Sequence, residues 1–329
     1  MSLLPLILRR MHCRGTHQRF ALDSLDHVQT PAGKRLARLL LRYNDRFLTG
    51  TVDPDERFCD FQNHCIHVRS GYWGGAPRLA MIWYERLQSH LSVGRFAEAA
   101  YAAGVLSHYF TDPLQPLHTA QTDREPLVHR AMELSVYRSY DDILRIWIEG
   151  DFKVDFRLGD GDAWLAQALL KGARFANQSY DRLVGSYDLQ RGSIDPRTGL
   201  TDDAKLTFAV LFGLAITGLA KIWDRAAADA CRSIPLPKTG LLLPTTAATV
   251  KIVPKQIRAA FHLRREQRAV LKVWDEYSRL GKLVDEIPSE CYVKQQVWQV
   301  YQREIAWRQR IAKLNDEATA HCNADRQVA

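Results

Sequence analysis

Apolar residues recur along most of this chain at the spacing of a helix face. Pro31 to Leu48 sets Leu36, Leu39, Leu40, Tyr43 and Phe47 on one stripe and leaves Lys34, Arg35, Arg38 and Arg42 off it, with Thr49-Gly50 as a stop. A Gly-rich turn, Gly71 to Gly75, precedes a helical pattern over Pro77 to Leu91. The next pattern, Arg95 to Tyr109, carries Ala97, Ala99, Ala100, Ala102, Ala103 and Gly104. Small residues on several faces permit close helix packing, so this helix is expected at the centre, ended by Pro113 and Pro116. Further patterns cover Pro126 to Glu149, Asp162 to Val184 and Asp202 to Ala230. Strand-like alternation is scarce and there is no internal repeat. The prediction is an all-α protein.

Two apolar stretches invite a membrane reading and are better read otherwise. Ser2 to Leu8 is short and is followed, not preceded, by Arg9 and Arg10, the reverse of an export signal. It reads as a buried N-terminal segment. Leu206 to Ala220 falls short of the ~20 residues of a span and holds two glycines, so it reads as a buried helix. Composition shifts near Ser233, where Ser233 to Gly240 is turn-rich and Pro244 and Pro254 follow. The expected organisation is a catalytic domain over 1–235, a linker over 236–254 and a basic helical extension over 255–329, with helical patterns at Pro254 to Leu283 and Pro288 to Ala320.

With 46% apolar and 25% charged residues in 329, the chain is an ordinary globular one, which excludes disordered, collagen-like and polytopic membrane classes. The net charge of +8 suggests anionic partners. From Leu236 onward there are 16 Lys and Arg against 10 Asp and Glu, so +6 of that charge belongs to the linker and extension together. Such helices read first as a solvated face, with contact to a membrane surface as a second reading. Six cysteines are scattered without a CxxC pair, which argues against a disulfide scaffold and a cysteine zinc site.

The histidines carry the chemistry. His108 and Asp112 are four apart near the end of one predicted helix, so they share a face. Pro113 and Pro116 break the chain, and His118 enters from the turn. His129 and Glu133 repeat the four-residue spacing on the next helix. Imidazole and carboxylate together suit zinc. Asp53-Pro-Asp55 and Phe61-Gln-Asn-His64 supply further ligand types in a turn-rich stretch, and His12, Cys13 and His17 lie earlier. His27, His67, His90, His262 and His321 stand outside this pattern.

At these residues the sequence resembles the zinc-dependent phospholipase C family, related to the zinc-dependent single-strand nucleases of fungi and plants. The match covers roughly residues 10 to 230. It follows Gly50 and Asp55, then Phe61 and His64, then His108, Tyr109 and Asp112, then Gln115, Pro116 and His118, and last His129 and Glu133. One departure is Thr111, where bacterial members usually carry glycine before the aspartate. The resemblance implies an all-helical fold holding two to three zinc ions. One would be held by His64, His108 and Asp112, with Asp55 as a further ligand or as the group that orients water. A second would share Asp112 and take an N-terminal histidine, His17 or its competitor His27. The third would be held by His118, His129 and Glu133.

Secreted members use a cleaved N-terminal tryptophan as a chelator, and this chain has no tryptophan before Trp73. His12, or Cys13 in its place, is the expected substitute. The implied activity is phosphodiester hydrolysis of phospholipase C type, with Asp55 as general base and a phospholipid or other phosphodiester as substrate. Phe61 matches an aromatic of the headgroup pocket, although it could equally be a packing residue; Glu56 stands where a choline-binding member has a tyrosine. A single-strand nuclease or nucleotidase is the alternative, and a zinc-stabilised scaffold protein is a third. No stable nucleic-acid partner is expected. The N-terminus favours the cytoplasm, whereas the resemblance implies secretion.

Overall fold

A computed structural model describes residues 3–230 (apart from 151, 153 and 155), together with 234, 242–250, 252–284 and 302. Residues 1–285 form one compact unit and 286–329 a second. The expected pattern at Pro288 to Ala320 lies almost wholly outside the described residues.

The helices of the first unit follow in order. They are α1 (Leu3–Ile7), α2 (Thr16–Asp26), α3 (Pro31–Arg42), α4 (Asn44–Gly50), α5 (Ala76–Ser92), α6 (Phe96–Thr111), α7 (Glu125–Arg138) and α8 (Tyr140–Glu149). After them come α9 (Trp164–Asn177), α10 (Tyr180–Ser186), α11 (Leu189–Ile194), α12 (Asp202–Asp229), α13 (Leu242–Val250) and α14 (Ile252–Leu280). No β-strand occurs among the described residues, and the one β-bridge, between His67 and Trp73, is isolated.

Helix starts follow from the local sequence. Thr30 accepts from Gly33 N at the start of α3, with Pro31 in the first turn, and Thr201 accepts from Ala204 N at the start of α12. Three long patterns are each split in two. The pattern over 31–48 breaks at Tyr43, where the Asn44 side chain donates to Leu41 O. The pattern over 126–149 breaks at Ser139, and that over 162–184 breaks at Gln178 and Ser179. Apolar periodicity continues through each break, so only the backbone reveals it.

Helix α6 is central, as its small residues predict: every residue from Ala99 to Thr111 is buried except Tyr101, which is half-buried. Its Gly104 crosses Gly50 of α4 so closely that a Cβ on either glycine would meet the other helix's backbone. Helix α12 is long and apolar enough to cross a membrane, but two-thirds of its apolar stretch is buried against the rest of the unit. Trp223 on it donates to Ser24 on α2, and Asp224 accepts from the backbone amides of Gln29 and Thr30. Leu4 and Leu8 are fully buried, so the N-terminal segment is part of the core.

Helices α13 and α14 belong to the first unit: Arg130 of α7 bonds Glu266, and Val270 and Val273 are buried.

Candidate metal centre

The end of α6 aims His108 and Asp112 into the interior because four residues make about one helical turn. Asp112 begins a short 3-10 turn whose prolines redirect the chain, and His118 closes the second such turn. Helix α7 then brings His129 and Glu133 alongside. On the other side, the wide helical turn Pro54–Phe58 after α4 carries Asp55 and Glu56, and Phe61–Asn63 leads into His64.

Three clusters result, the first two sharing His108: Asp55, His64 and His108; His17, His108 and Asp112; and His118, His129 and Glu133. In the first, His64 Nδ1 lies 2.9 Å from Asp112 Oδ2, 3.0 Å from His108 Nε2 and 3.4 Å from Asp55 Oδ1. His108 Nε2 lies 3.0 Å from Asp112 Oδ2 and 3.6 Å from Asp55 Oδ1. Four donors around one tetrahedral zinc with bonds of ~2.1 Å are ~3.4 Å apart, so these separations suit one ion.

The hydrogen bonds make the same point. His108 Nδ1 donates to Thr51 O at 2.8 Å, and His64 Nε2 donates to Asp60 Oδ1 at 3.3 Å. The neutral rings therefore turn two bare lone pairs toward each other. Asp112 Oδ2, buried beside both, accepts no well-angled hydrogen bond. Only a cation or added protons can satisfy such a convergence, and the donor set fits a divalent metal.

Asp112 links the clusters through its other oxygen, which lies 3.1 Å from His17 Nε2 and 3.9 Å from His118 Nε2. In the third cluster, Glu133 Oε1 is 3.1 Å from His129 Nε2 and 3.4 Å from His118 Nε2. Burial opposes charge on His64, but Asp112 and Asp60 outweigh it and push the ring up to about 10. His129 is likewise raised against its burial by Glu133 and Glu125. Asp112 is held well below its usual range, because His108, His118 and His17 overcome the cost of burying its charge. Protons and a metal ion compete for these same lone pairs.

Asp55 differs from the other donors of the first cluster. Its side chain is 49% exposed, against 3% for His64 and 0% for His108, so it faces solvent. Glu56 beside it is exposed, and the Phe61 ring lies 5.5 Å from that of His64. His17 is brought to the cluster, whereas the His27 ring packs on Trp147 instead. His12 is not brought there: the turn Leu8–His12 places its Nε2 2.9 Å from Ala248 O. Cys13 belongs to none of the clusters among the described residues.

Two carboxylates that the motifs do not mark support the rings from behind. Asp60 holds His64 and accepts from Tyr109 OH and Asn63, and Glu125 bonds His129 Nδ1. Each stands four residues before its histidine, a spacing visible in the sequence.

This chain is similar in fold to the alpha toxin from Clostridium absonum. The TM-score is 0.53 at 16% identity, covering 68% of this chain and 66% of the toxin. The alpha toxin of Clostridium perfringens from avian strain SWCP superposes with a TM-score of 0.48 at 13% identity, covering 65% of this chain and 64% of that one. The chain thus spans just under two thirds of each toxin. No protein-family description and no curated protein matches the sequence. The likeness to the Clostridium absonum toxin is one of fold, and the all-helical fold that the resemblance implies is the fold found among the described residues.

Beside the candidate metal centre lies a cleft with two kinds of wall. His17, Asp112, His118 and Glu133 line one part, and Phe20, Leu114, Val136, Phe208, Leu211 and Phe212 line the rest.

Proposed function

We propose that this protein is a zinc-dependent phosphodiesterase of phospholipase C type. The observation that carries the reading is the convergence of His64, His108 and Asp112 at 2.9–3.0 Å with the exposed Asp55 at their open side. The motif resemblance and the fold shared with an alpha toxin support it. His64, His108, Asp112 and Asp55 would hold one ion. His17 would join Asp112 at a second position, and His118, His129 and Glu133 would hold another. Bound zinc supplies polarisation of phosphoryl oxygens and acidification of water.

The chain's own residues do the rest. Asp55 carries a carboxylate into solvent beside the cluster, where it can orient a water and take its proton. Thr51 O and Asp60 keep the lone pairs of His108 and His64 turned inward. Glu56, next to Asp55 in the chain, and Phe61, whose ring lies 5.5 Å from that of His64, offer a negative charge and an aromatic face, which together suit a cationic headgroup. The apolar wall of the cleft suits an alkyl chain, which favours a phospholipid. A toxin-like fold favours a secreted protein, so the cytoplasmic location expected from the N-terminus gains no support.

The test offers the zinc-loaded protein a phosphatidylcholine-type ester and, separately, single-stranded DNA. Release of a phosphomonoester from the lipid is expected. Cleavage of DNA alone would replace the lipase reading with the nuclease one. Asp55→Asn should abolish turnover and leave the fold intact; unchanged turnover would remove Asp55 from the chemistry.

A further inference from the structure

Thr111 is 3% exposed, at the last turn of α6, and precedes the Asp112 that links the clusters. Its hydroxyl is placed by two bonds. It donates to Ser107 O at 3.0 Å, with His108 O at 3.3 Å as the second acceptor. His17 Nδ1 lies 2.9 Å from the same Oγ1. A hydroxyl has one proton; given to the helix carbonyls, as these two bonds allow, it leaves Oγ1 to meet His17 as an acceptor. In that arrangement His17 Nδ1 carries the hydrogen. That leaves Nε2 with its lone pair, 3.1 Å from Asp112 Oδ1.

We propose that Thr111 is a positioning residue for His17: it selects the Nδ1–H tautomer and so sets zinc affinity at the His17–Asp112 position. This rests on the metal-centre reading above. Thr51 O, Asp60 and Glu125 play the same part for His108, His64 and His129, so Thr111 completes a set of ring-orienting acceptors. The glycine usual at this place in bacterial members has no hydroxyl, so the contact is this chain's own. Stacking of the His17 ring on His108, with centroids 4.0 Å apart, fixes the ring plane but not which nitrogen holds the proton. The hydroxyl supplies that choice.

Two measurements on the full chain test it, with zinc itself as the probe. In metal-free protein, long-range proton–nitrogen correlation spectra report the tautomer of His17. The wild type should show a larger share of Nδ1–H than Thr111→Val does. Equal tautomer populations in the two proteins would overturn the proposal without any appeal to zinc. In chelator competition, Thr111→Val should weaken one zinc equivalent by ~10–100-fold and spare the others, while Thr111→Ser should keep wild-type affinity. Equal affinity in Thr111→Val and wild type would refute the proposal, as would a Thr111→Ser protein as weak as Thr111→Val. A wild type that binds no zinc would instead remove the metal-centre reading, whatever the tautomer.

Discussion

The contact between α4 and α6 should be intolerant of a single methyl group. An alanine Cβ at Gly104 would lie 3.0 Å from both Gly50 Cα and Thr51 N, and closer still to Phe47 O. All three neighbours are backbone atoms, so no rotamer change relieves the overlap. The helices would have to part by roughly 1 Å to restore ordinary contact. Overpacking of this kind costs ~1–3 kcal/mol, while the better helix propensity of alanine returns up to ~1 kcal/mol. Here the overlap involves a main-chain oxygen, so we expect Gly104→Ala to destabilise by about 2 kcal/mol net. Gly185 supplies the opposite case. It sits exposed in α10 with nothing within 4 Å of its would-be Cβ, so Gly185→Ala should stabilise by ~0.5–1 kcal/mol. Urea unfolding of the metal-free proteins, followed by circular dichroism, measures both. The perturbation should also reach the site, because Thr51 O, next to the crossing, holds His108 Nδ1. A Gly104→Ala protein as stable as wild type would show that α4 and α6 do not approach as described.

Two further outcomes follow from the supporting carboxylates and the buried acid. Asp60→Asn removes the charge behind His64 and should weaken zinc at the first position by ~10-fold or more, read by chelator competition, with Tyr109→Phe having a smaller effect in the same direction. Burial pushes the Asp23 carboxyl up to about 6 against the pull of Arg9, so its folded form prefers the proton. That preference favours folding below the ordinary carboxylate range and is lost as pH rises through about 6. Asp23→Asn should therefore gain stability relative to wild type at neutral pH, by at most ~2–3 kcal/mol, the pull of Arg9 being already contained in that difference. The difference should vanish near the unfolded carboxyl value of ~4. A pH-independent difference in denaturant midpoint would refute this.

Much of the site was legible because its spacing is local. His108 with Asp112 and His129 with Glu133 must share helix faces once those helices form, and Pro113 and Pro116 mark the turn that delivers His118. The small residues from Ala97 to Gly104 identified the central helix, since only such side chains let another backbone approach. Asp60 and Glu125 passed unnoticed although each stands four residues before a histidine. Their signal is a carboxylate one turn upstream, too common among solvated residues to be read without the fold.

What the linear sequence determined by itself was the helical class, the order of the helices and the pairs of candidate ligands one turn apart, because each depends on periodicity along a single helix. What only the tertiary structure decided was the choice between histidines far from the cluster in sequence. His17 reaches Asp112 because α2 packs against α6. His27, ten residues on, ends against Trp147, and His12 turns to Ala248 O. The splitting of the three long helices and the place of α13 and α14 in the first unit were decided there too. A helix face is set by a few neighbouring dihedral angles, whereas which faces meet depends on the packing of the whole core.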